Sequence, residues 1–225
     1  TNPSHDGYRS VFEGEPRTLR ETEVDGHPVV ASSLAQTYPS PADDVWEALT
    51  SPERIPRWFL PVGGDLHEGG RYQLEGAAGG EVLECEPPDG GAARFLVTWE
   101  MMGSTSWAEV TLSPDGDGTR VRLEHRARAE DLPDGFWATY GPGATGVGWD
   151  GGMLGLALHL GAVEGTLSPA ETETWAATEE GRAFYRGAAD GWATAHVAAG
   201  ADPEGAGRAA DETYRFYTGT GEPTG

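Results

Sequence analysis

Apolar and polar residues alternate strictly from Thr119 to Ala129, which predicts a β-strand. The odd positions carry Val121, Leu123, His125 and two alanines, whereas the even positions carry arginine or glutamate. Such a strand turns its charged face to solvent and its apolar face to a core, as in an antiparallel sheet that is covered on one side. The lone histidine therefore falls on the covered face.

Four shorter segments upstream have the same two-residue period and extend the predicted antiparallel sheet. They are Arg71–Glu75, Glu81–Glu86, Arg94–Glu100 and Trp107–Leu112, and a β-rich stretch from Val24 to Tyr38 precedes them. Pro87-Pro88 is expected to end the second of these segments, because proline cannot donate to a sheet ladder. The sequence SPDGDG at 113–118 has the turn residues of a hairpin.

Two short helices, near 41–50 and 52–58, are predicted before the sheet, and each is opened by a Ser-Pro pair. Pro56 ends the second helix after barely one turn. Trp58 and Phe59 come directly behind this break. They are too apolar for a surface turn, so we expect them to point inward.

A long helix is predicted over Ala144–Gly165, after the sheet, with Trp149 and Met153 on one apolar face. It contains several glycines, each of which weakens a helix by up to about 1 kcal/mol relative to alanine. So many glycines favour close packing against the sheet, or a space left empty beneath the helix. The loop before it, 131–141, carries three aromatic residues that we expect to form a lid.

The rest of the chain has a helical pattern, with predicted helices over Thr178–Ala199 and from Asp202 to about Tyr217. We therefore divide the chain into a flexible polar arm at 1–22, a core domain at 23–165 and a helical extension at 166–225. The extension is expected to pack on the core, because it is too short and alanine-rich to bury a core well alone.

The charge balance limits the partners. The 225 residues carry a formal net charge of −22 at pH 7, and all fifteen cationic side chains are arginine. A protein this acidic repels phosphate backbones and anionic membrane surfaces, so we expect no nucleic-acid and no membrane partner. The lack of lysine excludes Schiff-base chemistry on a lysine side chain.

A cytoplasmic location is expected, because Cys85 is the only cysteine and cannot form a disulfide within the chain. Thr1–Gly26 is polar, which argues against a secretory signal, and the best apolar run, Met153–Leu158, is too short to span a membrane. We expect no metal, because His159 and Glu164 do not share a helix face, and no cofactor.

Several motifs in a fixed order carry a resemblance to a known superfamily. They are SPADDVWEALTSPERIPRWF at 40–59, GGRYQL at 69–74, GGEVLECEPP at 79–88, RFLVTWE at 94–100 and GTRVRLEH at 118–125. Over about residues 24–163 the chain resembles START-like or Bet v-like (SRPBCC) helix-grip proteins, in the branch of activators of heat-shock-protein-90 ATPase. The tail, as in TEEGRAFYRGAADGWA at 178–193, resembles the extension of many actinobacterial members.

The resemblance implies an α+β helix-grip fold, in which a curved antiparallel sheet wraps a long C-terminal helix, here with an added helical extension. Several members hold a hydrophobic ligand between sheet and helix, and relatives in producers of aromatic or enediyne antibiotics serve in sequestration or self-resistance. We therefore expect non-catalytic binding of a hydrophobic, polycyclic aromatic small molecule. A polyketide cyclase or aromatase and a chaperone ATPase-stimulating partner are the alternatives, and a homodimer through the extension remains open.

The candidate ligand-binding residues are those expected around such a cavity: Trp58, Phe59, Tyr72, Trp99, His125, Trp149 and Met153. Tyr72 and the indoles would supply its polar handles. A buried histidine has a lowered pKa and could act as a base near neutral pH, which makes His125 the one candidate for a cyclase. A structural role for His125 is the better interpretation, and we assign no catalytic residue.

Overall fold

A curved antiparallel sheet forms the centre of the computed structural model, which describes residues 17–220. Within those residues the sheet has eight strands in the order β1-β2-β8-β7-β6-β5-β4-β3. The strands are β1 (Thr18–Val24), β2 (His27–Tyr38), β3 (Val62–Gly64), β4 (Arg71–Leu74), β5 (Gly79–Asp89), β6 (Ala92–Met101), β7 (Ser104–Asp115) and β8 (Gly118–Arg128).

One long helix packs on the concave face of this sheet, and further helices precede and follow it. The helices are α1 (Ala42–Thr50), α2 (Phe136–Tyr140), α3 (Gly143–His159), α4 (Thr172–Ala176), α5 (Glu179–Ala198) and α6 (Pro203–Thr218). Buried side chains of α3, such as Met153 and Leu156, join Leu34 and Val110 of the sheet in one core cluster. This confirms the α+β helix-grip fold.

The first strand corrects the prediction of a polar arm over 1–22. Thr18–Val24 pairs with β2 through an Asp25-Gly26 turn in which both residues have positive φ, the conformation that a tight hairpin needs. The prediction is therefore wrong for residues 18–22, because the exposed first strand has a polar sequence. Residues 1–16 lie outside the described part of the chain.

Two predicted boundaries also move. Pro87-Pro88 does not end β5, which continues to Asp89 through a shift of register after Glu86. An irregular stretch of ladder tolerates proline, because its backbone amides are not all needed for pairing. Helix α3 ends at His159 rather than near 165, since Gly161 adopts a positive φ of 72° just beyond it.

The charged face of the sheet is a network of ion pairs. The side chain of Glu124 is only 6% exposed and contacts the guanidinium groups of Arg20, Arg122 and Arg126. Desolvation raises the pKa of Glu124, but hydrogen bonds from Arg122 and Arg126, together with the charge of Arg20, leave it below its usual value. This face of the sheet is thus partly buried, although its alternating pattern predicted that it would be exposed to solvent.

Helices α5 and α6 pack against α3, and glycines make the approach close. A Cβ atom at Gly146 would lie 2.3 Å from the Trp192 indole, and one at Gly143 would lie 3.2 Å from the Thr213 side chain. These contacts place the extension beside the core. The division of the chain at residue 165 stays a prediction.

A buried ion pair ties the start of β1 to α3 and α5. Asp150 is fully buried, its Oδ1 lies 2.6 Å from Arg17 Nη2, and Trp192 Nε1 donates to its Oδ2 at 2.7 Å. Burial raises the pKa of Asp150, while Arg17 and the Trp192 hydrogen bond oppose that rise. A Cβ atom at Gly191 would lie 2.1 Å from the Arg17 guanidinium, so a larger residue there would push this guanidinium away from its present position.

Candidate functional site

A cavity of about 180 Å³ lies between the concave face of the sheet and α3. Strands β4 to β8 and α3 form its long walls, and the end of α1 and the turn after it, through Leu49 and Ile55, close one end. Its lining is apolar except for a few side chains, among them Thr50, Tyr72 and Cys85. Such a lining suits a hydrophobic molecule.

The structure brings six of the seven predicted binding residues to this cavity: Trp58, Phe59, Tyr72, Trp99, Trp149 and Met153. His125 is not among the lining residues. The prediction omitted Phe95 and Gly152, which do line the cavity. The alternation of β6 carries a signal for Phe95, because it shares a face with Trp99, whereas a glycine in a helix carries no comparable signal.

The break after α1 turns two aromatic residues inward, as the sequence predicted. Trp58 and Phe59 stack with ring centroids 5.5 Å apart, and Trp58 Nε1 donates to the Ala48 carbonyl at 2.8 Å. A Cβ atom at position 155 would lie 2.4 Å from the Trp58 carbonyl oxygen, so Gly155 allows this segment to approach α3. The segment that carries Trp58 and Phe59 therefore closes one end of the cavity.

The predicted polar handles are largely committed to the protein itself. The hydroxyl of Tyr72 donates to the Thr98 carbonyl at 2.6 Å, and the hydroxyl of Thr50 donates to the Trp46 carbonyl at 2.7 Å. The Trp58 indole is likewise bonded to backbone. Desolvation raises the pKa of Tyr72, so its phenol stays protonated. These groups hold the walls in place and leave the cavity more apolar than predicted.

His125 is buried next to the cavity. Its ring lies 5.4 Å from that of Trp149, and its Nε2 is 2.8 Å from Ser106 Oγ, which donates to the Trp99 carbonyl at 3.1 Å. Nε2 is therefore the donor to Ser106. Desolvation lowers the pKa of His125 to about 4, so the ring is neutral at physiological pH.

Burial of a neutral His125 makes stability fall in acid. In the unfolded state His125 takes up a proton near pH 6.5, whereas in the folded state it does so only near pH 4. The free energy of unfolding therefore falls as the pH drops from 6.5 to 4, by on the order of 3 kcal/mol. We expect His125→Gln, which keeps a donor for Ser106, to flatten the curve. Urea unfolding from pH 4 to pH 7 measures the free energy of unfolding, with His67→Gln, a change at an exposed histidine, as the control. If the wild type and His125→Gln lost stability equally in acid, buried His125 would not be the cause.

The glycines of α3 fall into two groups. Some allow close packing, whereas Gly151 and Gly152 have no atom within 4 Å of an added Cβ. Gly152 lines the cavity and Gly151 does not. The close approaches at Gly143, Gly146 and Gly155 are to Thr213, Trp192 and Trp58, so these glycines do not pack against the sheet as the first alternative expected. The open space at Gly152 agrees with the second alternative.

The aromatic residues of the predicted lid lie elsewhere. Trp137 in α2 contacts His196 of α5 with ring centroids 5.5 Å apart, and Tyr140 contacts Phe216 of α6 at 5.9 Å. They do not line the cavity. The lid prediction is wrong, because these rings have partners on the helical extension.

Within residues 17–220 no three histidine, cysteine or acidic side chains lie close enough together to hold a metal ion. No helix in the same range has the length and apolarity to cross a bilayer.

Comparison with known proteins places these features in a family. Residues 39–150 match the family described as Activator of Hsp90 ATPase homolog 1-like protein. The crystal structure of CalU16 from Micromonospora echinospora is 31% identical, with 81% of this chain and 98% of that chain covered and a TM-score of 0.58. The solution NMR structure of CalU16 is 30% identical, with coverages of 83% and 97% and a TM-score of 0.64.

A third structure, DynU16, is described as a protein in the dynemicin biosynthetic locus. It is 23% identical, with 57% of this chain and 46% of that chain covered and a TM-score of 0.47. No curated protein matches the sequence.

Proposed function

This chain belongs to the activator of Hsp90 ATPase homolog 1-like family, and on that premise we propose that it binds a hydrophobic small molecule in the cavity and leaves it unaltered. The supporting observation is the cavity itself. Protein interiors are close-packed, with few voids larger than a water molecule. The cavity of about 180 Å³ is partly open to solvent, and a hydrophobic ligand would remove its apolar lining from water, which is favourable by about 25 cal/mol per Å².

The volume and lining favour an aromatic ligand of about two fused rings. An apolar cavity of about 150 Å³ is large enough to bind benzene. The walls here offer six aromatic side chains, those of Trp58, Phe59, Tyr72, Phe95, Trp99 and Trp149. Aromatic rings pack favourably edge to face or offset. We accordingly narrow the expected polycyclic ligand to a bicyclic core.

Binding without turnover is the better proposal, because no histidine or carboxylate is among the residues that line the cavity, and burial raises the pKa of its one thiol, Cys85, which keeps that group protonated. A cyclase needs a titratable group within hydrogen-bond reach of its substrate. His125 does not line the cavity, and the Tyr72 hydroxyl is committed to the Thr98 carbonyl. Sequestration and self-resistance are roles that such a binder would serve.

Native mass spectrometry with bicyclic and tetracyclic aromatic compounds tests this proposal. We expect one unaltered bicyclic molecule to add to each chain. A compound recovered with a new mass would favour the cyclase, and a cleaved protein chain would indicate self-sacrificing resistance. No adduct with any compound would overturn the proposal. A raised Hsp90 ATPase rate without ligand would then favour the chaperone-partner alternative.

A further inference from the structure

Arg54 joins α1 to α3 through one guanidinium group. Its Nη1 donates to the Asp44 carboxylate of α1 at 2.7 Å, and its Nη2 lies 3.0 Å from Nε2 of His159, the last residue of α3. The Arg54 side chain is only 15% exposed. A guanidinium can donate hydrogen bonds but cannot accept them. Nε2 of His159 is therefore the acceptor, and the ring is neutral with its proton on Nδ1.

This contact holds the part of the chain that closes one end of the cavity. Arg54 belongs to residues 52–59, the closing segment. The closing segment contributes three side chains to the cavity lining, those of Ile55, Trp58 and Phe59. On α3, His159 lies one turn beyond Gly155, where the Trp58 carbonyl oxygen makes its close approach. Two successive turns of α3 therefore contact the closing segment, and the second contact is made by a titratable group.

Protonation of His159 would break its contact with Arg54. The second proton goes to Nε2, so an N–H bond would then point at the guanidinium, and two positive charges would face each other. A glutamine at this position would accept the same hydrogen bond without titrating. The histidine therefore makes the contact depend on pH.

The surroundings of His159 determine the direction of this dependence. Among the described residues, the charges that act on the ring are those of Arg54, Arg57 of the closing segment and Asp44. Desolvation and both arginines lower the pKa of His159, and Asp44 opposes them only in part. The carbonyl end of α3 attracts a positive charge, which favours protonation in mild acid. Since the ring binds a proton more readily once the contact is broken, acid favours release.

We propose that Arg54 and His159 form a pH-sensitive latch, which holds the closing segment on α3 while the ring is neutral and releases it when the ring is protonated. Release withdraws three apolar side chains from the cavity wall, so a bound hydrophobic molecule loses buried contact area. This consequence rests on the proposed function. The ligand would be held near neutral pH and given up as the pH falls below about 6.5.

Hydrogen exchange on the ligand-free protein tests the latch by itself. The Phe59 amide donates to the Ile55 carbonyl at 2.9 Å, so its protection factor reports on local opening of the closing segment. We expect this protection factor to fall about tenfold from pH 7 to pH 5, the effect of losing one hydrogen bond from a charged group at a partly exposed site.

Three variants separate the latch from a general effect of acid. His159→Gln keeps an acceptor for Arg54, so its Phe59 protection factor should be the same at both pH values. Arg57→Gln removes a cation that lowers the pKa of His159, so its loss of protection should begin at a higher pH. His67→Gln, a change at an exposed histidine, should behave as the wild type does. Undiminished Phe59 protection in the wild type at pH 5, or an equal loss in His159→Gln, would overturn the latch.

Calorimetric titration with naphthalene, a molecule of two fused aromatic rings, tests the consequence for binding. We expect the dissociation constant of the wild type to rise about tenfold from pH 7 to pH 5, and that of His159→Gln to change less than about twofold. Equal rises in both proteins would overturn the coupling of the latch to ligand release. If naphthalene bound at neither pH, the proposed function would fail, whereas exchange of the Phe59 amide would still decide whether the latch exists.

Discussion

Replacing Arg17 with methionine is expected to lower the free energy of unfolding by about 3–5 kcal/mol, because it leaves the buried Asp150 carboxylate without its cation. Asp150 is fully buried, and the Trp192 indole also donates a hydrogen bond to its carboxylate. The loss should also loosen α5, since the Arg17 guanidinium packs directly on Gly191. Urea unfolding followed by tryptophan fluorescence measures the change.

Arg20→Met is the matched control three residues along β1. The Arg20 side chain is 54% exposed, and its partner Glu124 keeps two other arginines, so we expect a cost below about 1 kcal/mol. The Arg17→Met deficit should shrink in acid. Burial raises the folded-state pKa of Asp150, so protonation relieves the unpaired charge at low pH and the penalty grows as the pH rises. If both variants lost the same free energy of unfolding, Arg17 would not be the cation that stabilises buried Asp150.

Replacing Gly152 with leucine is expected to abolish most ligand binding while the protein stays folded. An added Cβ there meets no atom within 4 Å, so the leucine enters the cavity without displacing backbone. If the leucine prevents about 100 Å² of ligand surface from being buried, the free energy of binding weakens by about 2.5 kcal/mol. The dissociation constant then rises roughly 50- to 100-fold. The fold should gain up to about 1 kcal/mol from helix propensity. Native mass spectrometry and thermal unfolding measure the two effects.

Gly151→Leu is the control for this experiment. It makes the same change of helix propensity one residue earlier, at a position that also has open space but does not line the cavity. We expect this variant to bind as the wild type does. If both variants lost binding to a similar degree, the cause would be a change in helix α3 itself and not the filling of the cavity.

Local pattern was enough to predict the strands that carry the site. The alternation over β8 and β6 placed Leu123 and Trp99 on the covered face, and the Ser-Pro start followed by Pro56 predicted the inward turn of Trp58. These signals work because side-chain direction in a strand has a period of two, and because proline ends a helix at a defined residue.

Long-range pairing could not be predicted in the same way. Arg17 and Asp150 are 133 positions apart, and each has an ordinary neighbourhood in sequence. The polar handles were misjudged for a related reason. Whether an indole or hydroxyl is free depends on the backbone carbonyl that reaches it, as Thr98 reaches Tyr72, and no periodicity encodes that contact. The Asp25-Gly26 hairpin, by contrast, had a readable turn signal that was missed.

Tetralin is a bicyclic aromatic hydrocarbon of the size proposed for the ligand. Calorimetric titration of tetralin into the wild-type protein at several temperatures tests most directly whether the cavity is a hydrophobic binding site. We predict saturable binding of one molecule per chain with a negative heat-capacity change, the signature of burying apolar surface. Binding should be lost in Gly152→Leu and kept in Gly151→Leu. No saturable heat at any temperature, or undiminished binding in Gly152→Leu, would contradict a ligand site between the sheet and α3.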